Sequence, residues 1–276
     1  MDIGILIGVN NDTDILKEFR KAAELELQSC QVCIWDTDVY TDENVSRLRG
    51  ASEETGVRIS ALWAGWSGPK VWDFYSGPLT LGIVPSEHRE KRLEELFAGS
   101  DFAEKIEVTD MITHVGFLPE NPNDPDYIGV ICSLRKLALH MKEKRQYFLF
   151  ETGQETPITL LRAIEDIGTG NLGINFDTAN LIMYGKANSV DAAGIFGKYV
   201  RNVHCKDGVF PVDGKHLGYE VALGTGKAKI DEVIKILADK GYDGALTIER
   251  EISGEQQIKD IVLARDLLRS IVAGIG

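Results

Sequence analysis

The sequence is sparing with the residues that mark several common functions. It has four cysteines and five histidines in 276 residues, and the 30 Lys and Arg are outnumbered by 43 Asp and Glu. Only Cys30-Gln-Val-Cys33 has a redox or zinc spacing, and it has no second pair to complete a thiolate site. Ser29–Trp35 reads as a strand, where residues three apart point to opposite faces, so the two sulfurs do not serve one site. Cys30, Cys33, Cys132 and Cys205 are expected as reduced, mostly buried thiols. No stretch approaches the ~20 apolar residues of a membrane span. The opening Met1-Asp-Ile-Gly-Ile-Leu-Ile-Gly8 lacks a basic region and reads as a first strand rather than a secretory leader. The expectation is a soluble cytoplasmic protein with no membrane partner, in which Asn11-Asp-Thr13 and Asn44-Val-Ser46 are glycosylation sequons in form only. A formal charge of −13 and no Lys/Arg run argue against nucleic acid as a partner, because such a surface repels phosphate backbones.

What is present is an ordinary globular composition, 43% hydrophobic and 26% charged, on a chain long enough for a sizeable core. Short apolar runs at Gly4–Gly8, Cys30–Trp35, Arg58–Trp63, Met111–Val115, Tyr147–Phe150, Gly173–Phe176, Val200–Cys205 and Ala245–Ile248 alternate with helical stretches. The helices are expected near Asp14–Gln28, Asn44–Glu54, Ser86–Ile106, Asp126–Lys144, Pro157–Asp166, Val190–Phe196, Asp231–Asp239 and Gln256–Ala273. Eight βα units in order predict a parallel sheet, and at this length a single-domain (β/α)8 TIM barrel over residues 1–276. Thr156-Pro157 supplies a cap followed by proline at the first helical position, and Lys240-Gly241 a stop. Ala64–Pro85, with Trp66, Trp72, Phe74 and Tyr75, is a long connection expected over the barrel mouth as a lid or substrate wall. A second follows strand four at Gly116–Tyr127. Gly168-Thr-Gly-Asn-Leu-Gly173 matches a dinucleotide fingerprint in form, but it lies between a helix and a strand, the reverse of the required order, and is read as a helix exit. Gly224-Thr-Gly226 is read as a tight turn before substrate-binding backbone.

Four strands of the second half each end in a metal-binding group: Glu151, Asp177, His204 and Glu249. Taken singly, a carboxylate at a strand end is ordinarily a cap or an ion-pair partner. Four at equivalent ends converge on the C-terminal mouth of a barrel. Three carboxylates buried there repel one another, and one divalent cation relieves that cost, with neutral His204 as fourth ligand. The oxygen-rich set suits Mn²⁺, Mg²⁺ or Co²⁺, with Zn²⁺ also compatible. Lys206 shares this region and offsets charge, unless it simply pairs with Asp207. His114, at the end of strand four, faces the mouth and is either a hydrogen-bond partner for a substrate hydroxyl or structural. Trp35, Trp63 and Trp66 lie near strands two and three. Trp66 is the best placed to stack on a sugar's apolar face, and Trp35 is expected in the core.

The segments Phe150-Glu-Thr-Gly-Gln-Glu-Thr156, Asn175-Phe-Asp-Thr-Ala-Asn180, Asn202-Val-His-Cys-Lys-Asp207, Leu223-Gly-Thr-Gly226 and Thr247-Ile-Glu-Arg250, in this order, resemble the xylose-isomerase-like TIM barrels, the sugar phosphate isomerase/epimerase group, over essentially the whole chain. The resemblance implies that Glu151, Asp177, His204 and Glu249 hold one divalent metal and that Glu151 and Glu249 are the acid and base of a ketose epimerase or isomerase. They would move a proton beside a carbonyl through an enediolate. Two positions depart from the family's ketose 3-epimerases: Asn180 replaces a histidine and Phe210 an arginine, both of which contact substrate oxygens. Asn180 is retained as a substrate-binding candidate with His114, Trp66 and Lys206. Dehydratases resembling inosose dehydratase, enzymes acting on keto-glycosides, and a non-catalytic sugar-binding barrel are the alternatives. An endonuclease of the same fold would need a histidine cluster that His88, His114, His140, His204 and His216 do not make at strand ends, and a Schiff-base role for Lys206 is opposed by its carboxylate neighbours. The expected partner is a small carbohydrate, free rather than phosphorylated since no phosphate-binding cluster is evident, and a homo-oligomer is the family-level expectation.

Overall fold

A computed structural model describes residues 1–275. Eight parallel strands close into a barrel: β1 (Ile3–Gly8), β2 (Ser29–Ile34), β3 (Arg58–Ala64), β4 (Asp110–Thr113), β5 (Tyr147–Glu151), β6 (Leu172–Asp177), β7 (Val200–Cys205) and, after a two-strand hairpin of β8 (Asp207–Gly208) and β9 (Glu220–Val221), β10 (Leu246–Ile248). Going round, the order is β1, β10, β7, β6, β5, β4, β3, β2, so each barrel strand lies beside its predecessor in sequence and β10 closes onto β1. Each barrel strand lies within two residues of its expected bounds. The fold is a single-domain (β/α)8-like barrel.

Strand alternation divides the apolar residues into two cores. Cys30, Val32 and Ile34 of β2 turn outward into the large layer between sheet and helices, with Phe148, Phe150, Ile174, Phe176 and Val203. The smaller core fills the lumen with Ala61, Trp63, Ile112 and Leu149, against which Cys33, Trp35 and Tyr147 pack. Cys30 and Cys33 therefore belong to different cores, and both are free thiols that burial pushes up. The N-terminal end of the lumen is stoppered by Arg201, stacked 3.6 Å from the Tyr147 ring centroid and paired with buried Asp110 at 3.0 Å. Gly173 makes that plug possible, since a Cβ there would meet Leu149 Cδ2 at 2.6 Å and Arg201 Cδ at 2.7 Å.

The covering helices begin and end where their caps dictate. Thr156 Oγ1 accepts from the Thr159 amide at 3.2 Å ahead of helix Pro157–Ile167, which stops at Gly168 with φ 64°. The formal nucleotide fingerprint is thus a helix exit, because a left-handed C-cap favours glycine. Two features were not legible: the β8–β9 hairpin, whose strands are two residues each, and the one-turn helices Gly77–Thr80 and Asn180–Met183. Elements this short leave no periodicity in a sequence. Among the described residues, no helix is long and apolar enough to cross a membrane.

Candidate metal centre and active site

Glu151 ends β5, Asp177 ends β6, His204 is the penultimate residue of β7 and Glu249 follows β10. The pleat turns all four into the C-terminal mouth, where one potential ligand atom from each lies within 4.8 Å of the others. Glu151, Asp177 and His204 are almost wholly buried. Asp177 Oδ2, His204 Nδ1 and Glu249 Oε2 are buried without a hydrogen-bond partner. The imidazole nitrogen stands 3.0 Å from Glu151 Oε1 and 2.8 Å from Glu249 Oε2, yet without the alignment of a hydrogen bond. Clustered atoms left without partners of their own are what a cation site requires, since orphaned buried polar atoms are otherwise costly. One imidazole nitrogen with three carboxylates makes a donor set fit to coordinate a divalent metal ion.

The electrostatics agree. Burial, helped by Glu249 and Glu151 and opposed by Lys206, holds the Asp177 carboxyl well above the ordinary aspartate range. For Glu249, burial pulls upward, but the Lys206 ammonium and His204 outweigh it and keep the carboxyl low and ionised. Burial depresses His204, but Glu151 and Glu249 overcome it and raise the imidazole. Without a cation, the site satisfies its excess negative charge with protons, which a divalent ion would displace.

Asp177 is held by its own chain: its Oδ1 accepts from the Ala179 and Asn180 amides, both at 2.7 Å. This bend opens the short helix that carries Asn180 into the wall of a cavity of about 690 Å³ that runs from the mouth past β1 to the helix Ile15–Glu24. Glu151, Glu249, His114, Asn180, Trp35, Trp63 and Trp72 line the same cavity. His114 is buried, its Nδ1 lacks a partner, and burial lowers its imidazole to about 4. Lys206 lies 3.7 Å from Asp177 Oδ2, 3.7 Å from Glu249 Oε2 and 3.0 Å from Glu251 Oε1. The plain pair with Asp207 does not form. Asp207 instead accepts from the backbone amides of Gly208, Gly224, Gly226 and Ala228. The glycine loop's amides are therefore spent on that carboxylate.

One aromatic expectation is overturned and another holds in part. Trp66 does not line the cavity: it is fully buried, with Arg92 stacked 4.1 Å from its ring centroid and its indole N–H directed to the His114 carbonyl at 3.3 Å. Trp35, half-buried against the lumen core, also lines the cavity together with Trp63 and with Trp72 from the long connection after β3, Trp35 lying 4.7 Å from Trp63 and Trp72 5.0 Å from the His114 ring. Ala64–Pro85 does form a wall, through Trp72. Phe210 sits on the β8–β9 loop, partly exposed and outside the cavity lining.

Several polar residues at the site went unrecognised in the sequence. Gln154 has both side-chain polar atoms unpartnered, as does the Tyr184 hydroxyl, and both residues line the cavity. Gln154 falls within Phe150–Thr156, but nothing in that segment separates it from Gly153 or Glu155. Gln31 contacts His204 Nε2 through its Oε1 at 2.7 Å. Its only signal was a polar residue in the middle of an otherwise apolar strand.

The sequence matches the xylose isomerase-like TIM barrel family over residues 19–271. A xylose isomerase domain protein from Planctomyces limnophilus superposes with a TM-score of 0.91 at 35% identity, covering 100% of this chain and 99% of that one. A xylose isomerase-like TIM barrel protein from Mycobacterium smegmatis, solved in complex with magnesium, shares the fold with a TM-score of 0.75 at 17% identity, over 100% and 98% of the two chains. An uncharacterized protein of Methanocaldococcus jannaschii is 32% identical over 115 residues, 41% of this chain and only 36% of that protein's length. Other chains of this fold, 14–16% identical, include a 3-keto-D-glucoside 4-epimerase from E. coli and a D-psicose 3-epimerase from Clostridium cellulolyticum.

Proposed function

The chain belongs to the xylose isomerase-like TIM barrel family, and from that premise we propose that it is a metal-dependent enzyme moving a proton beside the carbonyl of a small, uncharged carbohydrate, as an epimerase or isomerase. The observation that carries this reading is the convergence of Glu151, Asp177, His204 and Glu249, with three orphaned atoms, where Glu151 and Glu249 line a cavity walled by indoles. A divalent ion bound there supplies Lewis-acid polarisation of the substrate carbonyl and its neighbouring hydroxyl, lowering the barrier to an enediolate.

The protein's groups do the rest. Glu249, kept ionised by Lys206 and His204, accepts the proton from the carbon beside the carbonyl. The C–H electron pair becomes the enediolate double bond, and the carbonyl electrons pass to oxygen. Glu151, entering the cycle with a proton, delivers it to the same carbon from the other face for an epimer. For an isomer it delivers it to the former carbonyl carbon, while the hydroxyl proton passes to the former carbonyl oxygen. The two carboxyls are reset by exchange with solvent. Lys206 holds the negative charge of the Asp177–Glu249–Glu251 set in place. Trp35, Trp63 and Trp72 offer the apolar surface on which a sugar face stacks. His114, Asn180, Gln154 and Tyr184 face the hydroxyls. Both cations that line the cavity are already paired, Lys21 with Glu18 at 3.7 Å and Arg250 with Glu220 at 3.0 Å and Asp260 at 2.8 Å. No lining cation is left for a phosphate, which supports a free sugar or glycoside.

A second reading, a lyase in which the enediolate expels a β-hydroxyl or alkoxide, rests on what the sequence resemblance implies: Asn180 and Phe210 replace the histidine and arginine of the family's ketose 3-epimerases. Incubating a panel of ketoses and keto-glycosides with the Mn²⁺-loaded protein in D₂O separates the readings. Deuterium in an epimer or isomer supports the first, and deuterium in a dehydrated or cleaved product the second. No incorporation anywhere removes proton transfer and leaves a binding protein. Glu151→Gln and Glu249→Gln are each expected to lower turnover by at least a hundredfold, and wild-type rates in either would remove the role given to that carboxylate.

A further inference from the structure

We propose that Gln31 is a positioning residue for the metal centre: its side-chain amide fixes His204 as the tautomer whose Nδ1 lone pair faces the carboxylates, and ties that choice to the setting of Glu151. The inference rests on the metal reading above.

The argument starts at a group that can only accept. Asn175 Nδ2 donates to the Glu151 carboxylate, which fixes the Asn175 amide with its oxygen turned away. That oxygen accepts from Gln31 Nε2 at 3.0 Å, and the Asn202 oxygen accepts from the same nitrogen at 3.4 Å. Asn202 is fixed in turn by donating to Asp110 Oδ2 at 3.0 Å, a carboxylate that also pairs with Arg201. Both hydrogens of the Gln31 amide are therefore committed, and only its oxygen is left for His204 Nε2, 2.7 Å away. An oxygen there requires Nε2 to carry hydrogen, so a neutral ring presents its lone pair at Nδ1. Reversing Gln31 would set its oxygen against two amide oxygens, and reversing Asn175 would set an oxygen against a carboxylate. Gln31 and Asn175 are fully buried and Asn202 and Asp110 nearly so, leaving little opening for water to replace a lost partner. The relay crosses the lumen from β2 to β6 and β7, so the strand opposite the ligands sets how they are presented.

Two measurements test this. In Zn²⁺-loaded, ¹⁵N-labelled protein, long-range ¹H–¹⁵N correlation should show His204 protonated at Nε2 with Nδ1 on the metal. The opposite tautomer overturns the inference, without need of any variant. By calorimetry, Gln31→Met, which keeps the volume and removes the acceptor, should weaken Mn²⁺ binding about 10–100-fold. A side chain that only filled space would leave the affinity unchanged, because methionine packs in the same volume. Unchanged affinity in Gln31→Met overturns the inference while leaving the metal reading standing. A wild-type protein with no Mn²⁺ affinity overturns both.

Discussion

At the scale of single residues, His114 shows how burial sets chemistry. Its imidazole, lowered to about 4 by burial, is neutral through the physiological range and brings an uncharged, unpartnered Nδ1 to the cavity lining. The unfolded chain protonates a histidine near 6.5, so between these values the unfolded state binds more protons and stability falls as pH falls. The penalty is absent above about pH 6.5 and grows towards pH 4, where the loss of stability amounts to on the order of 3 kcal/mol. In metal-free protein followed by urea unfolding, His114→Gln should flatten the stability profile between pH 7 and pH 4. An unchanged profile would mean that the ring is solvated. The four ligand candidates were legible because each terminates an apolar run. Gln31 was not, since a polar residue inside a strand looks alike whether it faces lumen or solvent. Trp66 and Trp72 were likewise indistinguishable until the chain between them was placed.

At the scale of elements, the decisive piece is the connection from Gly65 to Pro85, which carries Trp72 into the mouth. It is held from helix Ser86–Lys105 by Arg92, whose buried guanidinium donates to the carbonyls of Ser67 at 3.0 Å, Pro69 at 2.8 Å, Thr80 at 2.7 Å and Gly82 at 2.5 Å. Gly82 lets this segment cross the connection after β4, since with φ 68° its missing Cβ would lie 1.9 Å from the Val115 carbonyl oxygen. Arg92→Met should strand four carbonyls and cost on the order of 3 kcal/mol. Amide hydrogen exchange should speed up selectively across residues 67–82, with weaker substrate binding while the metal affinity is retained. Uniform exchange across the chain would show that Arg92 supports the whole fold and not this wall. The long connection was legible as a wall from its length and aromatics. Its clamp was not, because an arginine in a heavily charged helix is indistinguishable from its solvated neighbours.

At the scale of the whole molecule, the barrel brings three carboxylates from three different strands within 4.8 Å in a chain that already carries a formal charge of −13. Such a constellation loses stability to its own repulsion, and a ligand that binds only the folded state restores it by mass action. Mn²⁺ at a hundredfold excess over its dissociation constant should add about 2.7 kcal/mol, which for a domain of this size raises the melting temperature by about 5–10 °C. Thermal denaturation with Mn²⁺ against a chelator measures the shift. The absence of any shift in the wild type, or an equal shift in Asp177→Asn, would remove the assigned site.

By itself the sequence determined the order and bounds of the eight strands and their helices. Those follow from local periodicity, caps and the two-residue repeat of a pleat, which are properties of neighbouring residues. For the same reason it determined which strand ends carry the clustered carboxylates and histidine. Only the tertiary structure decided which indoles reach the mouth, that Asp207 takes up the glycine loop's amides, and that Gln31 answers His204 across the lumen. Those contacts join residues from 17 to 173 positions apart, and closing the barrel is the physical event that makes them neighbours.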